Sequence, residues 1–367
     1  MSNQVCISCL MDQSDPKITF DKNGLCSHCI SFEKRIKEHN AFLHSNPNFF
    51  KTMISKIKKE SIGKEYDCVL GISGGVDSSY LLHIAVLNGL RVLAVHVDGG
   101  WNSEVAVKNI HNLCQKLNVD LHTIVIDWTT MKELQRAYMF SSLPNLDIPQ
   151  DHAFIFGVYY YAKKHKIKYI LNGSNLSTEG ILPTSWVDNW MDTRQIKYIF
   201  KKFGRGLISL KKYPMINYFN YLILSQSVKR INLLNYIDYK KENAMNLLVN
   251  LYDWKYYGGK HFESRFTKYF QGYYLPKKFG FDKRKAHLSS LIVTNQISRD
   301  EALKEINDLS YYDHIKKSEE NYVMKKLDLN QKDLNYLYSL PNKSNLDYPN
   351  SISLFNNVKS IIRFLKK

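Results

Sequence analysis

No apolar run in this chain approaches the roughly 18 residues needed to cross a bilayer. Nor does a basic segment followed by an apolar stretch open it between Met1 and Cys9. Neither a membrane span nor a secretory signal is expected, and the protein reads as cytoplasmic. Two common nucleotide loops are missing as well. There is no G-x-x-x-x-G-K loop closed by Ser or Thr, and no G-x-G-x-x-G dinucleotide fingerprint. Cysteine is scarce beyond residue 29, because four of the six lie before that point. Acidic residues are few, 34 against 51 Lys and Arg, giving a formal charge of +17. That excess fits a polyanion such as RNA. It also fits a small anionic substrate such as a nucleotide sugar, drawn in by a positive field. Lys, Asn, Ile and Tyr are all abundant, so AT-rich coding bias explains it equally well. Charge alone does not select nucleic acid. With 367 residues, 44% hydrophobic and 23% charged, the chain has room for one large soluble domain or two modest ones.

Cys6, Cys9, Cys26 and Cys29 form two C-x2-C knuckles separated by 16 residues. Each knuckle can turn two sulfurs toward one point, and two complete a tetrahedron, so a closed, structural zinc site is expected. An iron–sulfur cluster stays open, whereas disulfides conflict with a reducing compartment. Between the knuckles, Ile18-Thr19-Phe20 suggests a short strand and Asp21 to Gly24 a turn, as in a zinc-ribbon hairpin. His28 sits inside the second knuckle and is read as a neighbour of the site. Cys68 and Cys114 read as core residues.

Residues 67–79 run Asp-Cys-Val-Leu-Gly-Ile-Ser-Gly-Gly-Val-Asp-Ser-Ser. Cys68 to Ile72 predicts a buried strand, Ser73-Gly74-Gly75 a loop, and Val76 onward a helix ended by Asn88-Gly89. Strand, glycine loop and helix N-terminus form a phosphate cradle, to which the Ser73, Ser78 and Ser79 hydroxyls can add. Further strands are predicted at Arg91–Val97, Asp120–Ile126 and Lys168–Leu171, with helices at Val105–Leu117 and Ala153–His165. The alternation argues for an α/β fold with a doubly wound parallel sheet. Its ligands should bind at the carboxyl ends of the strands.

The S-G-G-V-D-S-S run resembles the PP-loop of the N-type ATP pyrophosphatases, a family that includes NAD synthetase and tRNA-thiolating enzymes. The resemblance implies ATP binding by Ser73, Gly74, Gly75, Asp77, Ser78 and Ser79, with the adenosine near Asp98 and Gly99. Asn172 to Glu179 resembles a loop of ammonia-dependent NAD synthetases. Carried over by position, Gly173 and Ser174 join the nucleotide site, and Glu179 pairs with Asp77 around Mg²⁺.

The later motifs are D-W-x-Y-Y-G-G-K-H-x-E-S from Asp253 and F-D-K-R-x-A-H-L-S-S from Phe281. Taken alone they fit a solvated basic face with buried aromatics. Together with the knuckles and the PP-loop they resemble the N-acetyl sugar amidotransferases of WbpG/PseA type, over about residues 5–305. The resemblance implies ATP-dependent adenylation of a sugar acetamido oxygen, then attack by ammonia to give an acetamidino group. It assigns Asp77, Ser78, Lys260 and Arg284 to catalysis. Asn175, Tyr257, Gly259, His261, Glu263 and His287 are assigned to the anionic sugar or nucleotide-sugar substrate. No glutaminase segment is visible, so a HisH-like glutaminase and a HisF-like barrel protein are the implied partners; nucleic acid and membrane are not. A tRNA-thiolating enzyme is the alternative. The expected division is a zinc module with a linker helix at 1–50, a PP-loop domain at 51–240 and a mostly helical region at 241–367.

Overall fold

The computed structural model describes residues 4–186, 191–308, 310–355 and 357–358. The last part of the expected helical region, 359–367, lies outside them. Five strands form one parallel sheet: β1 (Cys68–Gly71), β2 (Val92–Asp98), β3 (Asp120–Val125), β4 (Tyr169–Leu171) and β5 (Lys229–Ile231). Their order is β3-β2-β1-β4-β5. The chain therefore builds outward from β1 in one direction, then returns to its other side with β4. The crevice between the carboxyl ends of β1 and β4 is the switch point where such sheets bind ligands.

Sequence explains the central strands. β1, β2 and β4 are apolar runs buried on both faces, as expected where helices cover both sides. β5 was not predicted. It is three residues long, and its two basic residues are exposed at the sheet edge, so it carries no apolar signal and instead blunts the edge with charge. The predicted helices are present as α3 (Val76–Leu87) and α4 (Glu104–Leu117), after α1 (Ser27–Ser45) and α2 (Phe49–Glu60). α5 (Trp128–Ser141) follows, and α6 (Ile148–Lys164) begins five residues earlier than the pattern at Ala153 suggests. Pro149 in the first turn of α6 suits a helix start. Gly157 lets α6 lie close on the sheet, since a Cβ there would come within 2.6 Å of Val97 Cγ2.

Beyond residue 240 the described chain is helical, apart from loops. Its aromatic residues, among them Phe266, Tyr269, Phe270 and Tyr274, share a core with Trp101, Tyr138 and Leu146 of the sheet domain. The N-terminal module is less regular than expected. The Asp21–Gly24 turn forms, with the Leu25 N–H donating to Asp21 Oδ1 at 2.8 Å. The predicted strand at Ile18–Phe20 reduces to a single bridge between Phe20 and Cys26, because two linked knuckles leave little backbone free to pair.

Candidate active site

The PP-loop joins β1 to α3. Gly75 is the N-cap of α3 and has no side chain to satisfy the first-turn N–H groups, so these face the cavity as anion donors. Gly74 has φ +82°, and a Cβ there would lie 2.7 Å from the Ala106 carbonyl oxygen. That glycine permits the turn and the close approach of α4. The Trp254 indole donates to the Gly74 carbonyl at 3.1 Å, which ties the D-W-x-Y-Y-G-G motif to the loop. Ser73 Oγ and Ser78 Oγ lie 3.2 Å apart. Both residues line a cavity of about 410 Å³ with Gly75, Asp77, Gly173 and Ser174. Ser79 is fully buried behind them and does not line that cavity.

Asp77, at the start of α3, and Glu179, at the end of a short helix after β4, both reach Lys260. Lys260 Nζ lies 3.6 Å from Asp77 Oδ2 and 3.0 Å from Glu179 Oε1, and it donates to Thr178 Oγ1 at 3.2 Å. The lysine side chain is only 13% exposed. Burial lowers its pKa, but Asp77 and Glu179 outweigh that and raise it overall, so the ammonium form is held. Asp77 also accepts from the Tyr239 hydroxyl, and from Asn175 Nδ2 and Thr178 Oγ1, each at 3.3 Å. Asn175 caps the short helix α7 (Leu176–Glu179), accepting from Thr178 N at 2.8 Å, and so fixes where Glu179 points.

A second cavity of about 430 Å³ adjoins the first. Val95, Val97, Phe154, Ile155 and Trp186 give it apolar walls, while Asn145, Asp147, Gln150, Thr267 and Gln271 make its far end polar. Ser73, Asp151, Asn172, Glu179, His261 and Glu263 line both cavities. Glu263 is positioned by pairing of its segment with the loop after β2: Ser103 N donates to the Glu263 carbonyl and Arg265 N to that of Trp101, both at 2.8 Å. Burial pushes the Glu263 carboxyl up to about 7, and its Oε2 has no hydrogen-bond partner. His261 is pushed down to about 3 by burial, by Lys260 and by Lys283. His287 is lowered in the same way. Both imidazoles are therefore held in the neutral form, and His287 Nε2 has no hydrogen-bond partner among the described residues.

Several expected residues sit elsewhere. Asp98 turns back to accept from Gly100 N at 2.7 Å and Asn102 Nδ2 at 2.9 Å, and neither it nor Gly99 lines either cavity. Arg284 is committed to Asp282, with its Nη2 2.7 Å from Oδ2, and it stacks over the Tyr311 ring at 3.8 Å. It lines a smaller cavity of about 130 Å³, together with Gly259, Lys260 and His287. Tyr257 comes over the PP-loop, where a Cβ on Gly75 would lie 3.2 Å from its hydroxyl oxygen. Sequence reasoning missed Tyr239, Lys241, Arg230, Asp151 and Lys283. The charged groups of Lys241 and Arg230 form no hydrogen bond or ion pair among the described residues, and both line the PP-loop cavity. Lys283 was visible inside the F-D-K-R motif; the others carried no local signal.

The four N-terminal cysteines are buried, with all their Sγ atoms within 4.8 Å of one another. Cys26 N donates to Cys6 Sγ at 3.3 Å and Met11 N to Cys9 Sγ at 3.4 Å, as thiolate ligands require. The site fits a metal. His28 is bound to Asp15 at 2.7 Å and is not a ligand. The cluster packs on Ile181, Trp186 and Ala286, so it braces both the loop after Glu179 and the helix carrying Lys283 and His287.

Residues 48–216 match the NAD synthase family, which fits a PP-loop domain of the ATP-using kind. Residues 263–361 match the C-terminal domain of the LPS biosynthesis protein WbpG-like family. The chain thus carries a PP-loop domain followed by a WbpG-like C-terminal domain. It is 28% identical over 137 residues to an uncharacterized protein of Methanocaldococcus jannaschii, covering 35% of this chain and 45% of that one. It therefore spans less than half of that relative's length. An NH3-dependent NAD synthetase from Campylobacter jejuni is 16% identical, with TM-score 0.30, covering 76% of this chain and 95% of the other. A tRNA thiolase from Methanococcus maripaludis, solved with its 4Fe–4S cluster, is 15% identical with TM-score 0.31, covering 88% of each chain. Among the described residues no helix is long and apolar enough to cross a membrane.

Proposed function

We propose that the chain is an ATP-dependent amidotransferase, a C–N ligase of O-antigen, lipopolysaccharide or surface-glycan synthesis. It converts the acetamido group of a sugar or nucleotide sugar to an acetamidino group. The meeting of the two cavities carries this reading: a PP-loop cavity and a mixed apolar–polar cavity share a wall at Ser73, Glu179 and Glu263. ATP occupies the first, its phosphates on the α3 N-terminus, Ser73 and Ser78, with Lys241 and Arg230 nearby. The sugar occupies the second and presents its amide oxygen to the α-phosphorus. Adenylation releases pyrophosphate; ammonia then takes the place of AMP. Alignment of the two substrates supplies much of the rate. Exclusion of water protects the adenylate, because hydrolysis would return the starting amide.

Asp77 and Glu179 offer hard oxygens from two separate helices, α3 and α7, and suit magnesium. Bound there, magnesium would neutralise charge on the departing pyrophosphate. The closed four-cysteine site suits a structural zinc. Lys260 fills the gap between the two carboxylates, so it competes with a cation for them. Lys260→Met is expected to tighten Mn²⁺ binding in the absence of nucleotide by about tenfold, from the loss of one opposed charge near 4 Å. Titration followed by electron paramagnetic resonance checks this; unchanged affinity removes the cation seat from these two residues.

Ammonia is supplied by a HisH-like glutaminase with a HisF-like barrel protein. The test gives the purified full chain ATP, a panel of acetamido UDP-sugars, and either ammonium or glutamine. Ammonium is expected to support AMP release and a product lighter by the difference between O and NH. Glutamine should do so only with the partners added. Efficient glutamine use by the chain alone, or sulfur transfer to tRNA, would overturn the reading. Cys68 and Cys114, the cysteines outside the knuckles, are buried in the sheet core with burial pushing their thiols up. Neither lines the cavities, which disfavours a sulfur carrier.

A further inference from the structure

At the polar end of the second cavity, two carboxylates lie one turn apart at the start of α6. Asp147 is saturated: it accepts from Thr267 Oγ1 and Gln271 Nε2, each at 2.9 Å, and from Gln150 Nε2 at 3.3 Å. Asp151 is different. Its carboxylate makes no hydrogen bond or ion pair among the described residues, yet it lines both cavities. A partly buried carboxylate without a partner is costly, so it is suited to a ligand that brings donors.

We infer that Asp151 is the ammonium-binding base of this site, which receives the nitrogen nucleophile where the two cavities meet. The inference rests on the amidotransferase reading above.

Two features select ammonium over a sugar hydroxyl. The first is charge. On the second-cavity side, Asp151 shares its lining with Asp147 on its own helix, Glu179 from α7, Glu263 and His261 from the segment before Arg265, and Lys283 and His287 from the helix Lys283–Val293; on the PP-loop side it shares it with Asp77, Arg230, Lys241 and Lys260. The imidazoles are neutral, and Lys260 is spent on Asp77 and Glu179. On the second-cavity side, Asp147, Asp151, Glu179 and Glu263 meet one lysine, Lys283, while, of the two cavities, Arg230, Lys241 and Lys260 line only the PP-loop side, so a small cation is favoured on the second-cavity face of Asp151. The second is proton affinity. Burial and Asp147 push the Asp151 carboxyl up to about 7, with Lys283 opposing, so it accepts a proton far more readily than an ordinary aspartate.

In the step, ammonium gives one proton to the Asp151 carboxylate. The freed lone pair forms the C–N bond to the adenylated carbon. The C–O bond to AMP then breaks, and its electron pair stays on the AMP oxygen. The three hydrogens of the bound nitrogen end on the amidine, which leaves as a cation. Asp151 returns its proton to solvent.

The experiment compares the full chain with its Asp151→Asn variant in three assays: sugar-dependent ATP–pyrophosphate isotope exchange, ammonium-dependent AMP release, and AMP release with hydroxylamine. Hydroxylamine is largely uncharged at neutral pH and needs no base. The variant should keep exchange and lose kcat/KM for ammonium by about 10²–10³-fold. With hydroxylamine it should run near the unmodified rate. Removing a buried, unpaired charge should leave the melting temperature unchanged or raised. Unchanged ammonium use, equal loss with both nucleophiles, or loss of exchange would each overturn the assignment of Asp151. Absence of sugar-dependent exchange in the unmodified chain would instead sink the amidotransferase reading itself.

Discussion

Asp77→Asn is expected to lower AMP release by about 10²–10³-fold, the size of loss seen when one preorganised electrostatic group is removed. The fold should survive. Asp77 sits in the first turn of α3 with its side chain 23% exposed, so it fills no core space. Asparagine keeps its shape, and its one amide oxygen still accepts from Tyr239 while its Nδ2 faces Thr178 Oγ1 as a donor. What it loses is charge, and with it half of the proposed cation seat and one of the two counter-charges of Lys260. AMP release and the melting temperature, measured on the same preparation, separate these effects. Normal turnover would remove Asp77 from the chemistry. Glu179→Gln should fall in the same direction but less far, since Glu179 ion-pairs with Lys260, whereas Asp77 also holds Tyr239, Asn175 and Thr178.

Cys9→Ser is expected to cost the protein its N-terminal metal and most of its soluble yield. A closed thiolate site contributes about 10–16 kcal/mol to folding in small zinc peptides, as large as the whole stability of a typical domain. The effect should reach the active site, because the cluster packs on Ile181 and Trp186 beyond Glu179 and on Ala286 beside Lys283 and His287. Elemental analysis should find one zinc per unmodified chain and none in the variant. Iron with a visible absorption band would replace zinc by a cluster; full metal content in the variant would remove Cys9 from the ligand set.

Local patterns made the phosphate cradle readable in advance. The run from Cys68 to Ser79 contains its own strand, turn and helix start, and the two C-x2-C knuckles contain their own geometry. Long-range placement was not readable. Tyr239 reaches Asp77 across 162 positions, and nothing around Tyr239 announces it. Asp147 and Asp151 fall before the helix predicted from Ala153, and the groups that satisfy Asp147, Thr267 and Gln271, lie 120 and 124 positions away. Arg284 is assigned to catalysis through the resemblance, and nothing in the F-D-K-R run signals that Asp282, two residues before, holds the guanidinium. β5 escaped because an edge strand of Lys-Arg-Ile has no periodicity to detect.

The docking of the cysteine module also bears on how this chain is made. Cys6 to Cys29 can gather a metal as soon as they leave the ribosome, since all four ligands fall within one short segment. The surface they dock on arrives much later: Leu10 N donates to Ser289 Oγ at 3.0 Å, and Arg299 Nη2 to the Cys6 carbonyl at 3.2 Å. At about 5–20 residues per second, the 279 positions from Leu10 to Ser289 take roughly 15–60 s to synthesise. Over that interval the cysteine segment is made but undocked, with Leu10 and the cluster's outer face uncovered. The cysteine segment therefore waits for a docking surface made 279 positions later.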